Sequence, residues 1–181
     1  MKKKLSLALC LLLLCGCAPW QLVKNPRQWK HSGFEATLPG EWMKFNGPML
    51  FLTKDGELLQ NINIYKYKID KKDALPLSKK TFTDAMLPQE ISELVLNEMS
   101  LDENKLKLSV IENSPVDIGG KSGFKLVYMY NTKDSLKIKS ILYGLKKDKF
   151  IYMIQYLAAD QYYFDKDFKV FNDFIDSLKI T

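Results

Sequence analysis

Successive extended runs in the second half of the chain carry apolar side chains on both alternating faces, and this pattern limits the fold more than any other feature. Phe124, Leu126 and Tyr128 alternate with Val127 and Met129, and Tyr152 and Ile154 alternate with Ile151 and Met153. Successive side chains of a strand point to opposite sides, so a strand with one wet face alternates apolar with polar, and one apolar throughout needs cover on both sides. The runs Lys107 to Asn113, Pro115 to Ile118, Gly123 to Asn131, Leu136 to Lys146 and Phe150 to Ala158 are separated by Gly, Asn and Lys-Asp turns. At that spacing they predict an antiparallel meander.

Two amphipathic segments supply the cover. Pro88 suits the first helical position of Gln89 to Leu101, where Ile91, Leu94, Val95 and Leu101 lean to one side and Glu90, Glu93, Asn97 and Glu98 face water. A shorter helical turn is expected around Ser78 to Met86. In the closing helix, Asp165 to Leu178, the residues Phe164, Phe168, Phe171, Ile175 and Leu178 recur at spacings of three and four, and Asp165 and Asp167 suit the positive N-terminus. Earlier in the chain, Gly33 to Pro39 reads as a strand turned by Gly40-Glu41-Trp42. Pro48 to Thr53 and Leu59 to Ile69 form a hairpin through Lys54-Asp55-Gly56. The expected class is α+β, an antiparallel sheet covered by helices on both faces.

The first residues read differently. Lys2, Lys3 and Lys4 precede an apolar run of ten residues, Leu5 to Leu14, interrupted only by Ser6, a signal-peptide core too short to cross a bilayer as a helix. Leu14-Cys15-Gly16-Cys17 resembles the bacterial lipobox, in which a small residue precedes the cysteine that receives diacylglycerol; Cys15 stands where Ala, Ser or Thr is usual. The resemblance implies lipidation of Cys17, with a diacylglyceryl group and an amide-linked acyl chain such as palmitate giving the two-chain anchor that stable attachment needs. The expected division is a signal peptide over residues 1–16, a lipidated N-terminus and tether over 17–32, and one folded domain over 33–181. Ala18, with no Asp there, points to the periplasmic face of the outer membrane, with another extracytoplasmic membrane surface as the alternative.

All three cysteines lie within the first seventeen residues, so disulfides and thiol catalysis in the mature domain are excluded. Removing Lys2, Lys3 and Lys4 from the 27 basic residues leaves 24 against 21 acidic ones, too mild and too dispersed a charge for a nucleic-acid footprint. Gly119-Gly120-Lys121-Ser122 invites comparison with a phosphate-binding loop, but Pro115 occupies the first glycine's place and a strand follows instead of a helix; a β-turn fits better. His31 has no second histidine to work with and reads as a surface residue. Asp160, Asp165, Asp167, Asp173 and Asp176 lack calcium-loop spacing and read as solvated or helix-terminal charges. No serine stands in a nucleophile elbow. Catalytic residues, cofactors and metals are therefore not expected.

Tyrosines are the most suggestive feature. Tyr65, Tyr67, Tyr128, Tyr130, Tyr143, Tyr152 and Tyr156 all fall on expected strands. If several share one end of the sheet they line a ligand or partner surface, with apolar bodies and hydrogen-bonding tips. If they do not, they reflect only the preference of aromatics for strands. Lys66, Lys68, Lys137 and Lys139 fit exposed strand faces that guard against aggregation.

The mature chain resembles the PsbP-like fold, named for a photosystem II accessory protein and shared with a yeast Ran-binding protein and many small bacterial lipoproteins. The residues that carry the likeness are Phe34 to Trp42 with its Leu-Pro-Gly-x-Trp pattern, the Gly120-Lys121-Ser122-Gly123-Phe124 turn, Tyr152 to Tyr156, and the Phe-rich closing helix. The resemblance implies an α/β/α sandwich and a role as an accessory or binding module, with no site residue carried over. The expected function is thus a lipid-anchored extracytoplasmic binding protein engaging an envelope protein partner. A carrier or sensor of a small apolar ligand is the alternative.

Overall fold

A computed structural model describes residues 19–181. Its chain runs β1 (Trp20–Val23), β2 (Arg27–His31), β3 (Phe34–Leu38), β4 (Trp42–Phe45), β5 (Phe51–Thr53), β6 (Gln60–Lys68), α1 (Pro88–Ser100), β7 (Leu106–Ile118), β8 (Lys121–Asn131), β9 (Lys137–Lys147), β10 (Phe150–Ala159), α2 (Tyr163–Asp176) and β11 (Lys179–Ile180). Eight strands form one antiparallel sheet in the order β1-β4-β5-β6-β10-β9-β8-β7, and β11-β3-β2 form a smaller one. The meander and the β5–β6 pair appear as the alternation predicts, with Phe51 opposite Asn63 and Leu52 opposite Ile62.

Two cores follow from the strand alternation. On one side of the large sheet, Ile62, Ile64, Ile154, Tyr156 and Ala158 pack with Phe164, Phe171 and Phe174 of α2 and with Phe34, Ala36 and Leu38 of the small sheet. On the other, Leu126, Tyr128, Leu142, Ile151 and Met153 pack with Ile91 and Val95 of α1 and with Ile69, Leu75 and Phe82 of the segment before it. The cover is thus shared: the small sheet works beside α2, and an irregular segment works beside α1. The sheet positions of β1, β4 and β5 that face the α1 side belong to neither core.

Several expectations change. Residues 20–31, expected as a tether, are largely strands. Ser32 and Gly33, both at positive φ, close the two-residue β2–β3 hairpin. The two runs between Lys107 and Ile118 are one strand, β7, at the sheet edge, where Pro115 is tolerated because one side of an edge strand donates to nothing. No helix forms over residues 78–86. Lys79 adopts φ +58, which a right-handed helix does not allow, and Leu75 bridges Lys80 instead. In α2 the buried face is Phe164, Asp167, Phe171 and Phe174, while Phe168 is exposed.

Glycines 119 and 120, at φ +56 and +80, make the two-residue turn between β7 and β8, with Asp117 Oδ1 accepting the Gly120 N–H at 2.9 Å. A hairpin turn therefore stands at Gly119-Gly120-Lys121-Ser122, as the sequence favours over a phosphate loop. Further along the pair β8–β9, Gly144 lies opposite Phe124, and a Cβ there would strike the Phe124 ring. The phenyl group lies where only hydrogen leaves room.

Candidate functional site

The seven singled-out tyrosines do not form one surface. Strand parity sends Tyr65 and Tyr67 of β6 and Tyr128 and Tyr130 of β8 to the α1 side, and Tyr143, Tyr152 and Tyr156 to the α2 side. The second set is packing. The Tyr156 ring stacks 5.2 Å from Phe171, and its hydroxyl donates to the carbonyls of Tyr163 and Phe164 at 3.0 Å each. Tyr152 meets Phe34 at 4.7 Å, and Tyr143 meets Phe171 at 6.1 Å.

The first set lines an open cleft of about 340 Å³, bounded also by Pro76, Leu77, Glu98, Met99, Asp102, Lys105, Gln155 and Leu157. Its floor is polar. Gln155 Nε2 donates to Tyr128 Oη at 2.6 Å and to Ser140 Oγ at 3.0 Å, and Ser140 in turn donates to the Tyr156 carbonyl at 2.9 Å. Asn63 lies opposite Gln155 across β6 and β10. It donates to Asn61 Oδ1 at 2.8 Å, while its own buried Oδ1 meets no donor among the described residues. Such an acceptor is costly to bury unless something supplies a donor.

The rim is charged. Glu98, near the C-terminal end of α1, accepts the Leu77 and Ser78 N–H groups at 2.8 Å each, tying the irregular segment to the helix. Burial alone would raise its carboxyl; these backbone amides, with Lys79, outweigh burial and hold it below its ordinary 4.5. The ammonium of Lys105 bonds Asp102 and holds that carboxyl below its usual range, with Asn104 adding to the effect. The same ammonium stands 5.6 Å from the Tyr130 ring. Burial raises the hydroxyls of all four cleft tyrosines: Tyr65 well above 10, with Tyr128 and Tyr67 adding to it, and Tyr67 with a contribution from Glu98. They are neutral donors and acceptors at physiological pH.

Other expectations fall elsewhere. Cys17 and the targeting segment lie outside the described residues. His31 is exposed at the end of β2, stacked 5.9 Å from Trp29. Lys66 lies 4.3 Å over Phe150 and Lys139 4.3 Å over Phe164, while Lys137 pairs with Asp160 at 3.0 Å. Asp167 is not a solvated helix-end charge. It is 3% exposed, bonded by Gln60 Nε2 and approached by Lys54 at 4.0 Å. Among the described residues no three His, Cys, Asp or Glu side chains converge to hold a metal ion, and no helix is long and apolar enough to cross a membrane. Gln155 and Asn63 escaped the sequence reading. Two amides on the apolar-rich strands β6 and β10 were the available signal, since a buried amide requires a partner.

No family model and no curated protein matches the chain. Solved structures do. It is similar to cyanobacterial PsbP (CyanoP) from Synechocystis sp. PCC 6803, with a TM-score of 0.59, 15% identity, and 92% of this chain and 97% of that one covered. It is also similar to the Saccharomyces cerevisiae Ran-binding protein Mog1p, with a TM-score of 0.51, 10% identity and coverages of 87% and 96%. LpqN, described as involved in cell envelope biogenesis of Mycobacterium tuberculosis, gives a TM-score of 0.51 and 15% identity, with coverages of 91% and 92%. At these identities the likeness establishes the fold, which is PsbP-like, and nothing of the activity.

Proposed function

We propose that this chain is a binding module without chemistry of its own, held by lipid on Cys17 to the periplasmic face of the outer membrane and engaging an envelope protein through the tyrosine cleft. The observation that carries this reading is the cleft's construction: an open depression with tyrosine side walls, an amide floor and an ion-paired rim. Tyrosine offers large, rigid contact area with a polar tip at low entropic cost, which suits a protein surface. The neutral phenols and the Gln155 amide give a partner's backbone or amide groups something to bond.

Two competing uses are less well supported. A carrier of a small apolar ligand needs enclosed space between sheet and helix, but Phe164, Phe171, Phe174 and Tyr156 fill the space under α2, the cleft of about 350 Å³ at its edge by Leu38 and Val170 is open, and the α1 cleft is rimmed by charge. A carboxylate-based hydrolase needs an acid with a raised pKa, whereas Glu98 and Asp102 are both held down.

Photocrosslinking in intact cells tests the proposal. A benzoylphenylalanine placed at Tyr67 is expected to give a discrete protein adduct, and the same group at Lys169 on the outer surface of α2 none. Equal adducts from both positions, or none from Tyr67, would overturn it. Intact-mass analysis with a Cys17→Ser control tests the anchor separately.

A further inference from the structure

One part of the large sheet ends uncovered. On β1, β4 and β5 the positions facing the α1 side are Trp20, Leu22, Met43, Phe45, Phe51 and Thr53, the last of them buried, as the register dictates: Trp20 opposite Phe45, Leu22 opposite Met43, and Met43 opposite Thr53. None of the six is charged, in a chain in which 27% of residues are. The five apolar ones join neither core, and Leu22 is 47% and Phe45 37% exposed. Trp20 packs edge-on against Phe45 at 5.2 Å and Phe51 at 5.8 Å, so the rings form one continuous patch. A contiguous apolar patch of this kind marks a contact surface.

Its place in the chain identifies what it contacts. Only Ala18 and Pro19 separate Cys17 from Trp20. An extended chain advances at most about 3.6 Å per residue, so β1 begins within about 11 Å of chain length of the proposed acylation position. The expected tether of sixteen residues would have let the domain float clear of the bilayer, but β1 removes that freedom. We infer that the Trp20, Leu22, Met43, Phe45 and Phe51 face rests on the lipid bilayer that holds the anchor, in the headgroup region that tryptophan and its aromatic neighbours favour. This inference rests on the proposed lipidation of Cys17. It also orients the molecule: the same side of the sheet carries the tyrosine cleft on β6, β10 and β8, and β6 adjoins β5, where Phe51 pairs with Asn63, so the cleft opens beside the patch and alongside the membrane, where an envelope partner stands.

The full chain, matured in a bacterium that processes lipoproteins and reconstituted in phosphatidylethanolamine and phosphatidylglycerol vesicles, provides the test. Once Cys17 is acylated the mature chain has no other thiol, so Leu22→Cys and Lys169→Cys each take a single nitroxide. Both positions are exposed, so neither label disturbs packing. Electron paramagnetic resonance is expected to show the Leu22 label shifted toward oxygen accessibility and away from a nickel chelate, with the Lys169 label fully aqueous; Phe45→Glu should reduce the Leu22 shift. Aqueous behaviour at both sites in protein whose mass confirms acylation overturns the membrane face while leaving the anchor standing. Dipolar coupling between Leu22 labels, with no lipid shift, assigns the patch to a second copy and also overturns it. A mass without acyl chains removes the anchor and this inference together.

Discussion

The two sides of the large sheet are built from the same strands and finished in opposite ways. Under α2 and the small sheet, rings fill the space and the polar atoms are paired: Tyr156 caps two carbonyls and Asp167 is held by Gln60. On the α1 side, the helix and residues 69–86 seal only part of the face, leaving a polar-floored cleft over β6, β10 and β8 and an apolar patch beside it on β1, β4 and β5. One side is therefore organised for stability and the other for contact. The contrast is physical, since fully packed surface has no remaining capacity to bind.

The sharpest way to break this contrast is to truncate one ring on each side. Phe171→Ala, at a fully buried site, is expected to cost about 3–5 kcal/mol, and Tyr67→Ala, at the half-buried cleft wall, less, roughly 1–2 kcal/mol. Urea unfolding of both variants measures the difference; equal losses would mean the cleft wall is core. Next in size, Asp167→Ala leaves the buried Gln60 amide with only the longer bond to Asp55 Oδ2, 3.4 Å away, and should cost about 1–3 kcal/mol, while a variant as stable as the parent would show the site to be solvated.

The smallest effect sharpens the comparison on the cleft side alone. Glu98 has a folded-state pKa below its ordinary 4.5, so its contribution is fully present above that value and is lost as pH falls through the lower, folded-state value. Exchange protection at Leu77 and Ser78, taken relative to the intrinsic rate at each pH, should fall in that acid window while the Tyr156 end of the core stays protected. Glu98→Gln should remove this loss of protection. Unchanged protection at Leu77 on acidification would mean that Glu98 does not hold the segment.

Legibility in the sequence follows the same divide. Strands β8, β9 and β10 and both helices could be read because their apolar residues recur at periods of two or of three and four. β1 and β2 could not: in β2 only Trp29 is turned inward, so an edge strand showed no alternation to detect. Residues 69–86 were read as partly helical because nothing local reveals positive φ at Asp70, Asp73 and Lys79. The tyrosines were recognised as a class, and parity within known strands would have sorted Tyr65 and Tyr67 from Tyr152 and Tyr156. Their company, Gln155 and Asn63, depended on the pairing of β6 with β10.

By itself, the sequence determined a two-sided antiparallel sheet with an amphipathic helix for each side, because periodicity records which faces must leave water. Only the tertiary structure decided which tyrosines meet, that Asp167 is buried, and that Trp20 begins a strand instead of a tether. Those outcomes depend on strand order and register, which bring together residues far apart in the chain and leave no local periodicity to read.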